Sequence, residues 1–145
     1  MTTLITRKFI NLQLAKEMLS AAMDKAKATP EKPPVTVAIV DGAGGLVCLE
    51  RTDGAPLITA DIAYGKARTS ALHGQPTSGF QQREPSFSTM TNTPSTNGFI
   101  FVEGGVPIFV DNQLVGGIGV AGRHAGEDVP VVEAAMAALA RATSR

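Results

Sequence analysis

The chemistry-bearing residues of this chain gather in two short stretches. In AGRHAGED, His124 follows Arg123 and precedes Glu127 and Asp128. An imidazole titrates near neutral pH and can also ligate haem iron. A guanidinium beside it can anchor a carboxylate, and the start of a following helix favours an anion. In FVEGG, Glu103 interrupts an apolar run just before Gly104 and Gly105. By strand alternation Glu103 faces solvent; otherwise it sets a carboxylate in a cleft beside exposed backbone N–H groups. Glu103 and His124 are the candidate acid–base pair. Arg83, Gly104, Gly105, Arg123 and Asp128 are the candidate ligand-binding residues.

Other reactive side chains read more simply as structure. His73 closes a helix, where a cation suits the dipole. Arg83–Glu84 reads as a loop ion pair, and Asp53 in RTDGAPL shapes a turn with Gly54. Lys66, one residue before Ala67, falls off the small-residue stripe and is expected in solvent; turned inward it would be a base or Schiff-base former. Cys48 in LVCLE is expected to pack as a small apolar residue. No serine lies in a GxSxG strand-to-helix turn.

The elements that must position these groups are legible from periodicity. From Asn11 to Ala28, Leu12, Ala15, Met18, Leu19, Ala22, Met23 and Ala26 recur at helical spacing, capped by Asn11 and stopped by TPEKPP. VTVAIVD and LVCLER are two strands joined by GAGG, the first apolar enough to be covered on both faces. Ala55–His73 is helical, with Ala60, Ala63, Ala67 and Ala71 on one face. Gly74–Gly98 is too long for a simple connection, and its Phe80, Phe87 and Met90 suit a pocket cover or a subunit contact. FIFVE, VPIFV and QLVGGIGVA follow as three strands, the last two turning at Asp111–Asn112, and a final helix runs from Val129 to about Ala142, capped by Asp128. The expected fold is α+β: a single domain with a five-stranded, largely antiparallel sheet flanked by helices.

Composition narrows the function. The 145 residues carry 13 basic and 13 acidic groups with no basic run, so neither nucleic acid nor a membrane surface is an expected partner. No leader-like or membrane-spanning apolar run is present, and the expected location is cytoplasmic. One cysteine and no CxxC, CxxCH or HExxH leave structural zinc and covalent c-type haem without support, and no metal site is expected. Residues 117–122 spell GxGxxG, but RHAGEDVP separates them from the next helix and no further strand follows. A dinucleotide site needs both, so these glycines point instead to a bulge, twist or close approach of a helix or ligand.

VAIVDGAGGLVCLERTDGAPL, DIAYGKARTSAL and EGGVPIFVDNQLVGGIGVAG, in that order and followed by an Asp-led helix, resemble the GlcG/HbpS-like, or haem-degrading domain, family, also found as the C-terminal domain of PduO-type proteins. The resemblance covers nearly the whole chain. It implies an α+β fold with a five-stranded antiparallel sheet, assembly as a homo-oligomer, and haem as a candidate cofactor. The family's usual Ser in its GVSG block is Ala121 here, which removes a hydroxyl, and no haem ligand is carried over to a numbered position. Two readings result. The first is an oligomeric cytoplasmic small-molecule-binding protein for haem, another tetrapyrrole or a small carboxylate. The second is a cofactor-independent lyase, isomerase or hydrolase of a small organic acid, with Glu103 and His124 as acid and base and Arg123 as anchor.

Overall fold

The computed structural model describes residues 3–80, 99–124 and 126–145. The first helix, α1 (Leu12–Lys27), buries Ala15, Met18, Leu19, Ala22, Met23 and Ala26. Asn11 caps it as expected, its carboxamide oxygen accepting from the Leu14 N–H at 2.9 Å. Strands β1 (Thr36–Asp41) and β2 (Leu46–Arg51) form a hairpin. Its turn is held by the Asp41 carboxylate, which accepts from the Ala43 and Gly45 N–H groups. Helix α2 (Ile58–His73) follows, and Gly74 ends it in the left-handed conformation.

Strands β3 (Gly105–Val110) and β4 (Gln113–Ala121) form the second hairpin, with φ of 51° at Asp111 and 61° at Asn112. Two successive positive φ values match the twist of the paired strands, which is why Asp and Asn occupy the turn. The last helix, α3, spans Val129–Thr143.

The sheet is antiparallel throughout, in the order β2-β1-β4-β3. It has four strands among the described residues, not the five expected, because FIFVE is not a strand. Side chains take up its backbone instead: the Ile100 N–H donates to Thr69 Oγ1 at 2.8 Å and the Val102 carbonyl accepts from Thr77 Oγ1 at 2.6 Å. Gly104, at φ 121°, then turns the chain into β3.

Pairing of β1 with β4 aligns Val37 with Val120 and Ile39 with Ile118 on one face, and Ala38 with Gly119 and Val40 with Gly117 on the other. The first face carries the main core, shared with α1 and α3. The second is covered by α2 through Ala63, Ala67 and Ala71. A Cβ at Gly119 would collide with the Ala63 carbonyl oxygen, and one at Gly117 with that of Ala67. The glycine-rich pattern is therefore a helix-docking surface in which backbone lies on backbone.

Candidate functional site

A cleft of about 310 Å³ opens between the segment entering β3 and the first turns of α3. Glu103, Gly104, Gly105 and Val106 line one wall; Val129, Val132, Glu133 and Met136 line the other. Gly105 is tied down by its N–H, which donates to Thr77 Oγ1 at 3.0 Å. The lining is apolar apart from Ser78 and the two carboxylates, and among the described residues it includes no cationic side chain.

Behind Gly104 lies Lys66, only 5% exposed and not in solvent as its place on the helix suggests. The expectation fails because α2 is buried over a wide arc, with Ala63, Lys66 and Ser70 at three- and four-residue spacing beside the alanine stripe. The Lys66 ammonium donates to the Val120 carbonyl at 2.8 Å and stands 3.8 Å from Asp128 Oδ2. The Val120 N–H in turn donates to the Gly104 carbonyl at 2.9 Å. A Cβ on Gly104 would sit 2.9 Å from Lys66 Nζ and 2.7 Å from the Val120 oxygen, so glycine is required for the wall to lie this close.

Asp128 occupies the residue before α3 as expected, but its side chain makes no capping bond. It turns inward to Lys66 and is 2% exposed, with Oδ1 lacking a hydrogen-bond partner among the described residues. Burial pushes its carboxyl up to about 6, opposed by Lys66 and Arg123 and reinforced by Glu103 and Glu127. Burial likewise lowers the Lys66 pKa, opposed by Asp128 and Glu103.

The structure brings Glu103, Gly104 and Gly105 into one cleft, with Asp128 behind it. His124 is exposed in the β4–α3 connection and is not among the lining residues. The Arg123 guanidinium donates to the Pro33 carbonyl at 2.8 Å and the Ala26 carbonyl at 3.0 Å, stapling the end of α1 to the β4–α3 connection. Arg83, Glu84, Phe87 and Met90 lie outside the described residues. His73 stays at the end of α2, Nδ1 at 2.9 Å from the Thr69 carbonyl and its ring edge-on to Phe99. Cys48 is half-buried, and burial raises its thiol pKa, the opposite of an activated nucleophile. Among the described residues no group of three or more His, Cys, Asp or Glu is placed to hold a metal, and no helix is long and apolar enough to cross a membrane.

Sequence reasoning placed Lys66 in solvent and missed the α3 wall of Val129, Val132, Glu133 and Met136. Spacing from Ala63 and Ser70 could have turned Lys66 inward. Nothing local marks the α3 wall, since its partner is more than twenty residues earlier in the chain.

Comparison with known proteins places this geometry in context. The family model described as "Haem degrading protein HbpS-like" matches residues 10–137. Protein GlcG of Escherichia coli K12 is 33% identical over 116 residues, covering 80% of this chain and 84% of that protein. An uncharacterized 15.0 kDa protein from the dhaT-dhaS intergenic region of Citrobacter freundii is 28% identical, covering 88% and 89%. Among solved structures, a double mutant of Streptomyces reticuli HbpS superposes with a TM-score of 0.79 at 32% identity, covering 95% of this chain and 90% of that one. A complex described as PduOC with haem superposes with a TM-score of 0.78 over 90% of this chain and 94% of that one; at 23% identity it shows the fold alone.

Proposed function

This chain belongs to the HbpS-like family, and on that footing we propose that it is a small-molecule-binding protein whose ligand is haem or a related tetrapyrrole, seated with one edge in the Glu103–Val106/α3 cleft. The observation that carries this reading is the lining itself. Val106, Val129, Val132 and Met136 offer an apolar surface to a macrocycle, at a volume toward the small end for ligand pockets. A small carboxylate would meet Glu103 and Glu133 there with no cation among the described lining residues to offset them. The anchor expected for it, Arg123, is engaged with two backbone carbonyls.

The residues fit a macrocycle better than they identify an iron ligand. The Met136 thioether is the soft donor of the lining, and no histidine lines it. If bound there, haem would supply iron redox chemistry; this chain's own part would be to seat the ring against valine and methionine and exclude water. The same reading takes the protein as a cytoplasmic homo-oligomer, consistent with exposed Leu57, Ile58 and Val102.

The test is a visible-absorption titration with haemin. A saturable Soret shift is expected for the wild type and for His124→Ala, weakened at least tenfold by Val129→Glu, a half-exposed lining position. No saturable shift, or one that Val129→Glu leaves intact, would overturn the reading.

A further inference from the structure

We propose that the Lys66–Asp128 pair is a proton-operated brace between the two walls of the cleft, which loosens the start of α3 as Asp128 loses its proton. The proposal rests on the cleft reading for its purpose but not for its test. Its basis is connectivity. Lys66 on α2 reaches the Gly104 wall through Val120, by successive hydrogen bonds of 2.8 and 2.9 Å. The same ammonium faces Asp128 at 3.8 Å, and Asp128 accepts through its backbone oxygen from the N–H groups of Val131 and Val132, the first turn of the other wall. Both walls therefore converge on one buried pair of titratable side chains.

The carboxylate end of that pair is incomplete. Among the described residues Oδ1 has no hydrogen-bond partner, and at 3.8 Å from Lys66 Nζ, Oδ2 has Coulomb attraction without a hydrogen bond to it. A buried ionised carboxylate so poorly satisfied is costly, and the neutral acid is much less so. The charged groups around it are Lys66 from α2, Arg123 and Glu127 from the β4–α3 connection, and Glu103 from the opposite wall. Two attract the carboxylate and two repel it, and burial outweighs them all.

The sign follows from linkage. Opening the start of α3 to water returns Asp128 toward the ordinary value of 3.8 from about 6. The open state therefore binds the proton less tightly, and opening is favoured as pH rises through this window, levelling off above it. Lys66, whose pKa is lowered, works in the opposite sense at higher pH.

Hydrogen exchange read by mass spectrometry tests this on the whole chain. After correction for intrinsic exchange, protection of residues 103–106 and 128–133 is expected to fall about tenfold between pH 5 and pH 7. Asp128→Asn should abolish that fall, and Lys66→Met, which removes the attracting charge, should move it to higher pH. A flat wild-type profile, or the same fall in Asp128→Asn, would overturn the brace. If Lys66→Met does not fold, the Asp128→Asn comparison alone decides. Absence of haemin binding would defeat the proposed function and leave this result standing.

Discussion

The two faces of the sheet solve the same packing problem with opposite materials. Toward α1 and α3, Val37, Ile39, Ile118 and Val120 fill the gap with branched side chains against Met18 and Leu139. Toward α2, Gly117 and Gly119 face Ala67, Ala63 and Ala71 so closely that backbone fills the space instead. The first face tolerates adjustment because side chains can shift rotamer. The second has no such slack, and it is the face that carries Lys66 across to the Val120 carbonyl and the cleft wall.

Substitutions on the two faces sharpen this difference. Gly119→Ala is expected to have the largest effect. Its new methyl meets the Ala63 carbonyl and, at 2.6 Å, the Ala67 nitrogen. Because neither can swing away, the loss should exceed the ~1–3 kcal/mol usual for overpacking, read as loss of a cooperative urea transition or a sharply lowered midpoint. Ile118→Ala, its neighbour on the other face, should cost about 3 kcal/mol through a cavity while keeping a cooperative transition. Ala71→Gly on α2 should cost about 1–2 kcal/mol, from helix propensity and one lost methyl, measured the same way. If Gly119→Ala proved milder than Ile118→Ala, the α2 face would have slack and the contrast would fail.

Much of this architecture can be read locally. The Asn11 cap, the proline stop after α1, the Asp111–Asn112 turn and the small-residue stripe on α2 each depend on a few adjacent residues, and each lies where spacing predicts. FIFVE misleads for a specific reason. Its composition suits a strand, but Thr69 and Thr77 offer hydroxyls that satisfy its backbone from outside the sheet. Asp128 misleads likewise: its position before α3 is that of a cap, yet the charge of Lys66, 62 positions earlier, draws it inward.

Sequence by itself determined the three helices, the four strands of the sheet and the antiparallel hairpins, because helix and strand periods and turn chemistry act within a few residues. Tertiary structure alone decided that Glu103–Val106 and α3 make one cleft, that Arg123 is a staple, and that Lys66 and Asp128 are buried together behind Gly104. The burial of Lys66 depends on how far α2 sinks onto the sheet. That depth is set by the packing of Gly119 against Ala63 and Ala67, not by the local preferences of the residues it brings together.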